Sequence, residues 1–254
     1  MRANRKLWAA ATVCVAVIAG ATGCSKGDDK AADPFAGLTA DAIADKAVAT
    51  TKTATAFRMN GTGKTDGEEM TVDFSVNDKG NCKGSMQAPK GGKAEVIGTG
   101  GVSYMKGDDA FWRSTGGEEG ASADESGAMS ALLKGRWLKM PAGTGEDDPA
   151  AFCDLKTIVK DMDEETPRKG LTRGADADVD GKPAVTLTKK GTKGETTTFY
   201  VAKDSAKPYV LRVVETGGKE PGTVTLSDFD KPVTATAPPA DQVVDMEQLM
   251  KGAS

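Results

Sequence analysis

The sequence predicts an α+β domain in which antiparallel β-meanders are accompanied by helices. Three observations predict it. Apolar residues recur at alternate positions through residues 57–106 and again through 179–230, the period of strands with one buried face. Turn pairs, among them Asp66-Gly67, Lys79-Gly80, Gly91-Gly92 and Asp180-Gly181, punctuate those runs. Before and between the two regions the period lengthens to that of helices. No fixed-period repeat and no interdomain linker divides the chain, so one α+β domain is the simpler reading.

The elements follow in order. Residues 39–51 predict a helix: Ile43, Ala44, Ala47 and Val48 share one face, Thr39 suits the N-cap and Asp41 the first turn. The first meander sets Phe57 and Met59, then Met70, Val72, Phe74 and Val76, against polar neighbours. Cys82, Met86, Val96, Val102 and Tyr104 continue it. Residues 114–126 read as a Gly-, Ser- and acid-rich loop. A helix follows over 124–134, with Met129, Leu132 and Leu133 apolar and Gly135 as its C-cap residue. Another is expected over 149–162, with Asp148 as N-cap, Pro149 in its first position and a stripe of Phe152, Leu155, Val159 and Met162. The second meander has strands at 184–188, 196–202, 209–214 and 223–229, and a short terminal helix is expected near 243–250.

The first 23 residues have a basic start (Arg2, Arg5, Lys6), an apolar run from Leu7 to Ala19 and a small-residue end, the parts of an export signal. The run is too short to span a bilayer, which takes roughly 20 residues. Cys24 follows Ala21-Thr22-Gly23 and resembles the lipobox cysteine of bacterial lipoproteins, although Ala21 stands where Leu is usual. That resemblance implies cleavage before Cys24, a diacylglyceryl anchor on it, and residence on the extracytoplasmic face of the cell membrane. Two acyl chains suffice for stable anchoring. Residues 24–36 are then lipidated Cys and flexible tether, and 37–254 the single folded domain.

Removing the leader's three cations from 33 Lys and Arg leaves 30 against 37 acids, a formal charge of −7. Such a surface suits neither nucleic acid nor anionic lipid. Aromatics make up only 5% of the chain, so Val, Leu and Met must supply core bulk. Cys82 and Cys153 are the two cysteines left after Cys14 departs and Cys24 is acylated, and in an exported chain they are expected to pair. Closing a loop of about 70 residues stabilises by roughly 4 kcal/mol on the chain-entropy model.

Catalytic chemistry is poorly represented. The chain has no histidine, which removes Ser-His-Asp, Cys-His and imidazole-zinc sites. Glu118-Glu119 and Glu164-Glu165 read as solvated charge. The segment 176–181 (DADVDG) opens like an EF-hand loop, but Leu187 occupies the position that needs a bidentate Glu, so a β-turn at Asp180-Gly181 is expected instead. The Gly-rich pieces at 61–63 and 98–101 do not continue as phosphate loops. No enzyme, metal or cofactor is expected. Phe111, Trp112 and Trp137 are either packing anchors where helix meets sheet or the lining of a ligand entrance.

The opening helix at 38–52, the segment VSYMK (102–106) followed by Phe111-Trp112, and the run LSDFDKPV (226–233) leading to APPADQVVD (237–245) resemble the LppX/LprG-type lipoproteins of actinobacteria, which share the fold of the LolA carrier. The resemblance implies a twisted antiparallel half-barrel with helices over its concave face, and an apolar cavity between the two. Residues expected to line it are Phe57, Met59, Met70, Phe74, Met86, Val96, Tyr104, Trp112, Met129, Leu132 and Trp137. The implied function is to hold or carry a lipid-like ligand at the cell envelope. The alternative is an interaction or sensory module with a filled core and an unidentified protein or wall partner.

Overall fold

In the computed structural model, residues 33–65, 67–88, 91–115, 123–140, 153–165, 168–245 and 248 are described. Residues 1–32, Cys24 among them, lie outside them. Twelve strands form one sheet in the order β12-β6-β5-β4-β3-β2-β1-β11-β10-β9-β8-β7. The first meander comprises β1 (Ala56–Thr65), β2 (Glu68–Asn77), β3 (Cys82–Gln87), β4 (Lys93–Thr99), β5 (Val102–Gly107) and β6 (Trp137–Met140). The second comprises β7 (Thr172–Val179), β8 (Lys182–Lys190), β9 (Thr196–Ala202), β10 (Val210–Thr216) and β11 (Gly222–Ser227). The chain crosses from the β6 side of the sheet to β7 at the opposite edge and returns, so β11 closes against β1. Pairing is antiparallel except where β12 (Val243–Asp245) joins β6 in parallel. The result is a large open sheet, an α+β half-barrel.

Helix α1 (Ala40–Thr51) begins where the Thr39 hydroxyl accepts the Ala42 N–H at 3.2 Å. Its face of Ile43, Ala44, Ala47 and Val48 packs on Val185, Leu187, Phe199 and Val201 of β8 and β9. Phe35, fully buried, belongs to the same cluster, and Asp33 accepts the Phe35 N–H and pairs with Arg173 at 2.6 Å. The folded unit therefore starts at Asp33, inside the stretch expected to be tether. Helix α2 (Asp109–Thr115), unforeseen in the sequence, is capped by the Asp108 carboxylate, which accepts the Phe111 N–H at 2.8 Å. Helix α3 (Ala123–Leu133) ends at Gly135, whose φ of +69° favours glycine.

Helix α4 (Leu155–Glu165) presents Leu155, Ile158, Val159 and Met162 to the core. Its N-cap is Asp154, whose carboxylate accepts the Lys156 N–H, so α4 starts later than the expected 149. Asp148 and Pro149 lie outside the described residues. Cys153, just before this cap, forms a disulfide with Cys82 at the start of β3. Asp163 on α4 pairs with Lys52 at 2.7 Å and with Arg168 at 3.0 Å, joining α4 to the end of α1.

One strand was not foreseen, and one further expectation is corrected. Residues 172–179 form β7 despite a nearly polar sequence, because β8 supplies the backbone partners. Residues 243–245 form a strand rather than the start of a helix, held by pairing with β6 and by a Lys139–Asp245 ion pair at 2.8 Å. The Asp180-Gly181 turn stands as expected: φ is +52° and +81°, and the flanking Val179 and Lys182 are register partners, as in a two-residue type I′ hairpin.

Candidate functional site

Strand register arranges the concave face in rungs that run across the sheet. The first rung, Phe57–Val76–Cys82–Gly98–Ser103, is buried throughout. The second contains Leu226, Met59, Phe74, Gly84, Val96, Met105 and Leu138, and all but Met59 and Gly84 are buried. On the third, Val213, Val224, Gly61, Val72 and Met86 are half-buried. On the last, Glu215, Gly222, Gly63 and Met70 are also half-buried. Between β11 and β3 exposure thus rises from a sealed base to an accessible end floored by Gly61, Gly63 and Gly222, whereas Ala94 and Gly107, which extend the third rung across β4 and β5, are buried. A side-chain carbon added at Gly63 would meet none of the described residues within 4 Å. Met59, Met70, Val72, Met86 and Val224 border this floor, and methionine's flexible thioether adapts to ligands of varied shape.

At the β5 end of the third rung, helix α2 is held by close approaches. At Gly107 a side-chain carbon would stand 2.5 Å from the Phe111 ring and 2.9 Å from that of Trp112, so α2 sits directly on β5. The two rings meet edge-on with centroids 5.1 Å apart. Trp112 is buried, and its Nε1–H has no hydrogen-bond partner among the described residues.

The expected lining residues divide accordingly. Phe57, Phe74 and Val96 lie in the sealed rungs, Met59, Met70 and Met86 border the accessible floor, and Trp112 reaches the face from α2. Tyr104 and Trp137 do not join them: each alternates with a concave-face residue, Met105 and Leu138 respectively, and faces the other side. Small buried partners at Ser103 and Gly107 reverse the apparent hydrophobic phase of β5. Leu132 is 38% exposed while Leu133 carries the burial of α3, and the side chain of Met129 lies outside the described residues. Val72 and Val224 were not foreseen in the lining; the pairing of β1 with the distant β11, which brings Val224 there, has no local signature.

Over β1, β2 and β11 the outer face is hydrophilic. Arg58 holds Asp73 through two hydrogen bonds of 2.7 and 2.5 Å, and Arg212 donates to Thr225 at 2.9 Å. Where β3 and β5 end, β4 begins and α2 starts, a groove of about 950 Å³ crosses the rim from this face to Met86, Ala94 and Gly107 on the concave one. Below the sealed base, Asp230 accepts from Thr55, Lys207 and Tyr209, which hold its carboxyl well below the usual carboxylate range.

No catalytic set assembles at these places. Ser103 and Lys106 form a Ser-x-x-Lys spacing, but their odd separation on β5 puts them on opposite faces. In the EF-hand-like segment Asp176 pairs with Lys203, Asp178 accepts the Gly181 N–H and Asp180 pairs with Arg212. Among the described residues no group of three or more Asp, Glu and Cys side chains is placed to hold a metal.

The fold is shared with LprF. The LprF structure from Mycobacterium bovis covers 79% of this chain and 97% of its own, at 16% identity and a TM-score of 0.53. LppX, a lipoprotein of Mycobacterium tuberculosis, covers 78% and 98% at 14% identity, with a TM-score of 0.46. No protein-family model matches the sequence, and no curated protein does.

Proposed function

We propose that this protein is anchored by acyl chains on Cys24 to the extracytoplasmic face of the cell membrane and holds a lipid-like molecule on its concave face. The observation that carries the reading is the exposure gradient. A packed base of Phe57, Phe74, Val76 and Val96 passes into a half-buried apolar border of methionines and valines over a glycine floor. Each buried methylene contributes roughly 0.8 kcal/mol, so a partly sheathed acyl chain binds through desolvation. The LprF likeness supports the fold on which this reading is built.

The alternative, an envelope interaction module with a filled core, is favoured by the completeness of packing at the base. The two readings part on lipid uptake. The full chain bearing C24S, exported and washed free of detergent, should carry lipid that organic solvent releases. A chain that neither carries nor takes up dioleoylglycerol sinks the carrier reading. For the anchor, mass spectrometry of the native product should show a diacylglyceryl adduct on Cys24 that C24S abolishes.

A further inference from the structure

The rim groove has a composition that an apolar ligand chain does not explain. Around it stand Lys93, Lys106 and Lys134 against Glu95, Asp108 and Asp109. These six charges balance, yet they are loosely paired. Among the described residues the ion pair within the set, Lys134–Asp109, spans 3.9 Å, and Asp109 stands equally far from Arg113. Lys106 lies 5.8 Å from the centre of the Trp137 ring, and one Asp108 oxygen caps α2.

Two observations tie the groove to the concave face. Met86 borders both, and Ala94 and Gly107 continue its rung across β4 and β5 into the groove. Trp112 packs on Gly107, is only 8% exposed and keeps an indole N–H without an acceptor among the described residues. A buried unpaired donor calls for an explanation, and an acceptor brought by a ligand is one.

We infer that the groove receives the polar head of the ligand held on the concave face, and that this head is zwitterionic. A phosphate lies beside the lysines, an ammonium beside the carboxylates, and an ester carbonyl accepts from Trp112 Nε1. This rests on the lipid-holding reading above. An anionic head would bring its charge beside three carboxylates, and an uncharged head would cover six charges while pairing none.

The test uses the full C24S chain with vesicles of phosphatidylethanolamine and phosphatidylglycerol in equal parts, both with oleoyl chains, plus dioleoylglycerol. Protein-bound lipid is recovered and identified by mass spectrometry. The expected result is roughly fivefold or greater enrichment of phosphatidylethanolamine over the vesicle composition, a difference that two or three charge-assisted contacts supply. The K93Q/K134Q variant should lose that enrichment. W112F, which removes a buried unpaired donor while keeping the ring packing, should fold at least as stably yet retain roughly tenfold less phosphatidylethanolamine. Uptake of all three lipids in vesicle proportion overturns the zwitterionic head and leaves the apolar-ligand reading standing. Uptake of none overturns both. Enrichment that persists in K93Q/K134Q removes the head from this groove, and undiminished retention by W112F removes the indole from the contact.

Discussion

A side-chain carbon on Gly98 would stand 2.7 Å from the Cys153 sulfur and 3.1 Å from that of Cys82. The bare backbone of β4 is what lets the disulfide lie on the concave face and bring the start of α4 against the sheet. G98A should therefore cost about 1–3 kcal/mol, the range for overpacking a filled core. Urea unfolding checks this, and the background checks the cause. In a C82A/C153A chain the same substitution should cost clearly less, because the obstructing sulfurs are gone.

Asp230 closes the opposite side of the base. It accepts from Thr55, Lys207 and Tyr209, and Tyr209 stacks on Phe229 with ring centroids 4.0 Å apart. The Lys207 bond leads the causes that hold its carboxyl below the ordinary 3.8, followed by those from Thr55 and Tyr209. A depressed folded-state pKa stabilises above the unfolded value and is lost as pH falls through that value toward the folded one. Asn accepts positive φ, so D230N keeps the backbone at +60° and removes the charge. We expect it to cost about 1–2 kcal/mol at neutral pH, with the gap from the parent closing below roughly pH 4. Paired urea titrations at pH 7 and pH 3 measure both; an unchanged gap would count against the linkage.

Phe35 sets the true start of the folded unit. It is fully buried with Ile43 and Ala47 of α1. Were residues 24–36 all tether, F35A would leave stability untouched. Its burial predicts a loss of roughly 3–5 kcal/mol, visible as a lower thermal midpoint.

The sequence was most readable where burial enforces a period. The alternation around Phe74 and Val76 located β2, and the i, i+4 face of α1 located that helix almost to the residue. It was least readable where tertiary partners decide. Strand β7 carries Gly174, Asp176 and Asp178 and a single buried apolar residue, Val179, so pairing with β8 and the ion pairs Arg173–Asp33 and Lys203–Asp176 hold it extended. Helix α2 is only seven residues long and depends on Asp108 and on the bare surface of Gly107. For the site, the methionines Met59, Met70 and Met86 were legible as one face. Tyr104 was not, because small residues on the buried face of β5 left the larger ones facing outward.

The accessible floor gives a way to block the site without breaking the fold. Gly63 lies in β1 with its φ outside the glycine region and open space above it. G63L should leave stability within about 1 kcal/mol of the parent, since strand interiors gain from replacing glycine. The new side chain would occupy the space between Met70 and Gly222. Retained lipid should fall by roughly tenfold, the equivalent of about 1.4 kcal/mol of lost binding.

The most direct measurement is native mass spectrometry of the exported C24S chain beside its G63L counterpart. A lipid-sized mass excess on the first, released by denaturing organic solvent and strongly reduced on the second, is the result expected of an apolar concave face that holds ligand. A bare mass on C24S that stays bare after incubation with lipid, or an adduct that G63L leaves untouched, would contradict it.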